Sequence, residues 1–168
     1  MAGTDLILHE EEFLRITSLA ERLLRDSNAR FVALIDRNGQ PIGTAGSLPD
    51  VDRTALASLA AGNVAATEGL ARMIGEKTFS ALYHEGERDH LHLSSVGEIG
   101  ILMVTFDERS SLGLVRLRVR QITPEFEQVF DDMLTKARTN AGNPDLAEGG
   151  PMAEITDDDI DSLFGDRI

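Results

Sequence analysis

Three of the four histidines lie close together in the stretch YHEGERDHLHL, which contains His84, His90 and His92. Two residues apart on a strand, His90 and His92 would share one face, and a short hairpin would bring His84 or Glu85 across from them. Imidazole and carboxylate groups suit zinc, so the cluster is compatible with a metal site. Because no further ligand motif accompanies it, the sequence favours a solvent-exposed polar hairpin face. We therefore predict no metal and no cofactor.

No motif in the chain predicts a catalytic centre. The sequence has no Gly-x-Ser-x-Gly elbow, no Walker loop, no Gly-x-Gly-x-x-Gly after a predicted strand, and no cysteine. Its carboxylates fall on predicted helix faces and in the C-terminal segment, where they are typical of solvated charge. We accordingly assign no catalytic residue and predict that the protein is not itself an enzyme.

Charge and hydropathy argue against two classes of partner. The 168 residues carry a formal net charge of −13, of which eight acids and one arginine from Asp145 onward contribute −7, leaving −6 for residues 1–144. Neither part has the basic footprint that nucleic acids or anionic membranes require. No apolar run approaches the roughly 18 residues of a membrane span, and the N-terminus lacks a signal-peptide pattern. These features favour a soluble, cytoplasmic protein without membrane insertion.

Hydrophobic periodicity predicts the elements that position these residues. An amphipathic helix over 10–26 precedes a strand over 30–36, an Asn38-Gly39 hairpin turn and a second short strand. Asp52 is the expected N-cap of a second helix, which runs to about Ile74 with Gly75 as its C-cap. Three further strands are predicted over 79–85, 89–96 and 98–106. The fold class is thus α+β, a five-stranded antiparallel sheet with helices on both faces.

The last element contains a misleading pattern, since VRLRVR alternates like a strand. A longer window shows apolar residues at 3-4 spacing from Leu112 to Met133, which predicts a helix. Pro124 removes one backbone hydrogen bond within it, so we expect a kink or break there. We predict a folded domain over 1–136, a flexible linker over 137–153, and an acidic tail over 154–168 that forms a short amphipathic helix on a partner.

The second helix is unusual because the stretch SLAAGNVAATEGL is rich in small residues. On a helical wheel, one stripe is predicted to form the core: Leu56, Leu59, Asn63, Ala66, Leu70, Met73 and Ile74. The small residues Ala57, Ala61, Ala65 and Gly69 then point away from the domain. Glycine inside a helix costs about 1 kcal/mol relative to alanine, so Gly62 and Gly69 favour an interaction face over a neutral surface. Ser58 and Arg72 are assigned to the same face.

Several segments together resemble the Roadblock family: DRNGQPIGTAG, LASLAAGNVAATEGLARMIGE, YHEG, FDERSSLGLVRLRVR and AEITDDDIDSLF. The resemblance covers nearly the whole chain and is strongest to the bacterial members that act in cell polarity and gliding motility at a cell pole. It implies the order helix, two strands, helix, three strands, helix. It also implies homodimers in which the third strands pair edge to edge through Phe79, Ala81, Leu82, Tyr83 and His84.

The resemblance further implies a GTPase-activating protein, two subunits of which bind one small Ras-like GTPase. The second helices of the dimer form the platform, with Ala65 and Gly69 at the matched contact positions. By the same resemblance, the GTPase is expected to be remodelled so that its own residues become catalytic, without an inserted arginine. The resemblance also implies a second contact with the GTPase through the tail. On physical grounds we expect it to use apolar and acidic side chains: Ile160, Leu163, Phe164, Asp157, Asp158 and Asp159. Other Roadblock domains are adaptors that stimulate no hydrolysis, and this alternative stays open.

Overall fold

A computed structural model describes residues 8–141 of the chain, and its element order is the predicted one. The three helices are α1 (Glu10–Asp26), α2 (Arg53–Met73) and α3 (Leu112–Ala141), and the five strands are β1 (Phe31–Asp36), β2 (Pro41–Gly46), β3 (Ala81–His84), β4 (His90–Val96) and β5 (Gly100–Phe106). The predicted α+β fold is confirmed.

The strands form one antiparallel sheet in the order β2-β1-β5-β4-β3. Strands β1 and β5 are inner strands whose residues are almost all buried, whereas β3 lies at an edge and has only four residues. The β1–β2 turn uses Gly39 at a φ of 86°, a backbone conformation that suits glycine. One edge of the sheet therefore ends in a short strand with a single neighbour.

The two faces of the sheet carry different helices. Helices α1 and α3 cover one face, where large side chains such as Ile16, Leu23, Val104 and Phe126 form a continuous core. These two helices are also joined by ion pairs, for example Arg15 to Asp132 at 2.7 Å. Helix α2 covers the other face with a second, smaller core.

Helix α3 runs without interruption from Leu112 to Ala141, so the break considered at Pro124 is not present. Pro124 lies on the exposed side of the helix, where the carbonyl that loses its hydrogen-bond donor can be solvated. The helix also includes residues 137–141, which the sequence pattern assigns to the linker. Their small and polar residues are compatible with a helix once several turns precede them.

The chain divides into two units between Thr135 and Lys136. The rest of the predicted linker and the whole predicted tail, residues 142–168, lie outside the described residues, so both remain predictions. None of the three helices between residues 8 and 141 has an apolar stretch long enough to cross a membrane.

Candidate interaction surface

Helix α2 buries its small side chains and not its large ones. Ala57 and Ala61, predicted to point away from the domain, are 1% and 5% exposed and pack on the sheet. The residues they face on the sheet are large: Phe31, Ile35, Leu93, Ile101 and Met103. Small side chains let a helix approach such a surface closely, so the sheet, not a partner, accounts for these two alanines. Their assignment to an interaction face is wrong.

The large apolar residues of α2 stand on its outer side. Leu59 is 73% exposed and Met73 is 84% exposed, and Leu70, Ile74 and Ala66 are also exposed. The predicted core position of these five residues is wrong, because the wheel argument equates large side chains with the buried face. The stripe's other two members, Leu56 and Asn63, are half-buried. An exposed apolar group of this size on one helix is typical of a surface that contacts another protein.

The remaining small residues of α2 also lie on its outer side, next to the large apolar residues. Ser58, Gly62 and Ala65 are exposed, and Gly69 is half-buried. A Cβ added at Gly62 would have no neighbour within 4 Å, and one added at Gly69 would reach only the Arg72 guanidinium at 4.0 Å. Neither glycine is therefore required by packing within the described residues. We call Ser58, Gly62, Ala65, Gly69 and Arg72 the small flank, and Leu59, Leu70 and Met73 the large flank.

Contacts near the start of α2 help to fix its position on the sheet. The Asp52 carboxylate accepts hydrogen bonds from the backbone N–H groups of Thr54 and Ala55, both at 3.0 Å, which confirms it as N-cap. The β1–β2 turn lies directly against the helix, since a Cβ on Gly39 would come within 2.7 Å of Ser58 Cα.

Farther along α2, Arg37 pairs with Glu68 and also donates from Nε to the Glu98 carbonyl oxygen at 3.2 Å. This side chain joins the helix to the β4–β5 turn. The helix that carries the small flank is thus joined to the sheet and its turns at several points.

Edge strand β3 lies beside the large flank of α2. Val64, Thr67 and Glu68 line a cleft together with Phe79 and Leu82, so β3 lies next to the second half of α2. Ser58 of the small flank lies against the β1–β2 turn, at the other edge of the sheet, which leaves the large flank on the β3 side of the helix. Tyr83 and His84 are exposed on the strand, and Phe79 lies before its first residue. The open edge of β3 and the large flank therefore lie on the same side of the domain.

The histidines do not converge on a metal site. His84 is paired with Leu91, on the α2 face of the sheet, whereas His90 and His92 point to the α3 face. Among residues 8–141 no group of three or more His, Asp or Glu side chains could hold a metal ion. The predicted solvent-exposed face is wrong for His92, which is buried. Burial lowers the pKa of His92 to about 4, and the nearby Arg116 guanidinium adds to this shift.

Comparisons with known proteins agree with this architecture. The Roadblock/LC7 domain model matches residues 16–106, more than half of the chain. MglB from Myxococcus xanthus is 47% identical over 76% of this chain and 96% of that one, with a TM-score of 0.71. The gliding protein MglB from Thermus thermophilus is 32% identical over 78% and 99% of the two chains, with a TM-score of 0.70.

A structure described as MglB with a tetrameric arrangement is also 32% identical, over 79% of this chain and 99% of that chain, with a TM-score of 0.72. A comparison with curated proteins finds no match. The family model spans the strands and the second helix that carry the candidate surface. This chain belongs to the Roadblock/LC7 family.

Proposed function

We propose that this protein is a GTPase-activating protein for a small Ras-like GTPase of the MglA type. It acts as a homodimer, two subunits to one GTPase, in the cytoplasm at a cell pole, in the control of polarity and gliding motility. The observation that carries the proposal is the exposed outer face of α2, with large apolar residues on one side and small residues on the other. The likeness to MglB proteins supports it.

The homodimer uses the open edge of β3 and the large flank of α2. Antiparallel pairing of β3 with the same strand of a second copy satisfies its free backbone groups and extends the sheet. A two-fold axis perpendicular to the sheet keeps both α2 helices on one face. Because the large flank lies on the β3 side, Leu59, Leu70 and Met73 then face the second α2. Such burial stabilises the dimer by about 1.5–3 kcal/mol per large side chain.

The GTPase binds the small flank. Side chains no larger than alanine at Gly62, Ala65 and Gly69 allow a flat protein surface to approach the α2 backbone. Unlike Ala57 and Ala61, these three positions are at the surface. Packing within the described domain gives no reason for the two glycines, and close approach of a partner supplies one.

Activation proceeds without an inserted arginine. Arg109 is held by Asp107 through hydrogen bonds of 2.9 and 3.1 Å, which keep the pKa of Asp107 below its usual range. Arg53 lies over the Phe31 ring at 5.5 Å. Of Arg53, Arg72 and Arg109, only Arg72 lies on the small flank. We expect Arg72→Ala to lower activation less than about tenfold, whereas loss of a true arginine finger removes about 10³–10⁵ in rate.

The test is GTP hydrolysis by a cognate GTPase with and without this protein. Arginines placed at Ala65 and Gly69 together should abolish stimulation, because their side chains block the close approach. Both positions have room for a larger side chain, so the domain should stay folded. A matched control places arginines at Ser18 and Gly113, exposed positions on the other helix layer, and should stimulate like the natural chain.

Each outcome distinguishes the alternatives. Binding of the GTPase without any rise in turnover would identify an adaptor of the Roadblock type and overturn the activator proposal. Full stimulation by the Ala65→Arg, Gly69→Arg chain would exclude the small flank as the contact. A collapse of stimulation in Arg72→Ala with binding retained would contradict the finger-free mechanism.

The acidic tail adds a second contact to the GTPase in this proposal. Ile160, Leu163 and Phe164 supply the apolar part, and Asp157 to Asp159 meet basic residues of the partner. Deleting residues 154–168 should weaken association and make it less sensitive to salt. Equal affinity of the shortened and full chains would remove the tail from the complex.

A further inference from the structure

A group of positive charges lies in the first turns of α3 and just before them. Residues 109–124 contain four arginines and no Asp or Glu, although the chain as a whole has a net charge of −13. Two of the four are engaged. Arg109 pairs with Asp107, and Arg118 donates to Gln121 at 3.0 Å in a cleft between α1 and α3.

The other two, Arg116 and Arg120, form no ion pair with any of residues 8–141. Both are exposed and lie four residues apart, on the side of α3 nearer to β4 than to α1. Leu117, between them in sequence, is 48% exposed at the outer surface of the helix. We call these three residues the α3 basic face.

Nothing within the described domain accounts for this arrangement. Like charges one helical turn apart repel each other. Since no described residue offsets this repulsion with an ion pair, an external anionic partner supplies a physical reason for keeping the two arginines together. The −6 charge of residues 1–144 repels an extended polyanion, so a short acidic peptide with apolar residues fits better than nucleic acid.

We propose that the α3 basic face binds the acidic segment 154–164 of a second copy of this chain. That segment carries Asp157, Asp158, Asp159 and Asp161 beside Ile160 and Leu163, which matches two arginines flanking an exposed leucine. Charge pairing sets the specificity, and contact with Leu117 adds apolar burial. The interaction links copies through a surface on the opposite side of the sheet from α2.

This inference does not rest on the proposed regulation of a GTPase, nor on the β3 dimer. If the tail binds both the GTPase and the α3 basic face of a second copy, these two partners compete for it. The GTPase must then release the tail from the neighbouring copy. Self-association would then decrease when the GTPase is added.

The experiment measures binding of a fluorescent peptide, residues 154–168, to the full chain by anisotropy at about 50 mM salt, where charge pairing is weakly screened. The natural chain should bind it, and the Arg116→Glu, Arg120→Glu chain should bind at least about tenfold more weakly. A peptide with Asp157, Asp158 and Asp159 changed to Lys should show the reverse preference. This exchange of charges identifies the α3 basic face even if a variant lowers affinity for other reasons.

A control chain carries Arg25→Glu and Arg88→Glu, exposed cations on other parts of the fold, and should bind the natural peptide as the unchanged chain does. Equal binding of the natural peptide by the Arg116→Glu, Arg120→Glu chain would overturn the proposal. The proposal would also be overturned if the natural chain bound no peptide up to about 1 mM. That result is expected if each tail covered its own domain. If the same variant still stimulates the GTPase, the α3 basic face is not needed for activation. The tail-binding proposal can then fail without affecting the proposed function.

Discussion

Helices α2 and α3 both pack on the sheet, yet they present opposite kinds of side chain to it. Helix α3 buries Val119, Phe126 and Met133 in the larger core, and its outer side is mostly polar. Helix α2 buries Ala57, Ala61 and other small residues, and its large apolar residues are outside. The difference indicates that the large side chains of α3 stabilise the single domain, whereas those of α2 contribute little to it.

The comparison also shows why side-chain size alone does not identify a buried helix face. Burial is decided by the sum of the two surfaces in contact. Phe31, Ile101 and Met103 already fill the space over the α2 face of the sheet, so alanines complete the layer. On the α3 face, large residues of the helix pack against large residues of the sheet.

The largest expected effect is on the α3 side. Phe126→Ala should lower the free energy of unfolding by about 3–5 kcal/mol, because the ring is fully buried and its removal leaves a cavity. Leu70→Ala on α2 should change it by less than about 0.5 kcal/mol, since that side chain is mostly exposed. Urea denaturation of both variants at low protein concentration measures the difference. Equal losses would contradict the contrast between the two helices.

The buried His92 tests how completely α3 covers the sheet. Its pKa is about 4 in the folded protein and 6.5 in an exposed reference, so between pH 6.5 and 4 the unfolded chain takes up a proton that the folded chain does not. The free energy of unfolding should therefore fall by about 2–3 kcal/mol over that range, and the contribution of His92 should level off about one pH unit above it.

His92→Leu serves as the control for this titration, because it removes the ionisable group and leaves the other histidines in place. The difference between the two pH profiles isolates the contribution of His92. Parallel profiles from pH 7 to pH 4 would show that solvent reaches the imidazole despite α3.

Most of the fold can be predicted from patterns of residues that lie close together in the sequence. The helix over 10–26, the Asn38-Gly39 turn and the Asp52 cap each depend on residues within one short segment, and each is confirmed. Pro124 shows the limit of such reasoning. Local chemistry predicts a kink or break there, but packing of Val119, Phe126 and Val129 on the core holds α3 together through that position.

The candidate surface was only partly predictable, for a physical reason. A helical wheel separates two faces but does not say which one meets the sheet. The same reasoning that places Ala65 and Gly69 at the surface misplaces Ala57 and Ala61. The exposure of large residues on α2 could have been expected only from the large residues already present on β1, β4 and β5, which requires the strand register.

Substitutions on the two sides of α2 test which side is buried. Ala61→Leu should lower the free energy of unfolding by about 1–3 kcal/mol, because the added atoms press against a filled core. Ala66→Leu, farther along the same helix and exposed, should leave it nearly unchanged. Thermal or urea unfolding of the two variants is the measurement. If Ala66→Leu were the more damaging substitution, the buried side of α2 would be misassigned.

The smallest effect on the domain's own stability is expected where the effect on association is greatest. Leu59→Lys with Met73→Lys should change the unfolding free energy of the separated subunit by less than about 0.5 kcal/mol, because both side chains are in solvent. The same pair should weaken the proposed dimer by more than about a hundredfold, since large apolar contacts are lost from both sides of the two-fold axis. Sedimentation velocity over a range of concentrations measures this. Leu14→Lys changes an exposed leucine on α1 and is the control that should keep the dimer. If the chain with both Leu59→Lys and Met73→Lys still formed the dimer, the subunit contact would lie elsewhere.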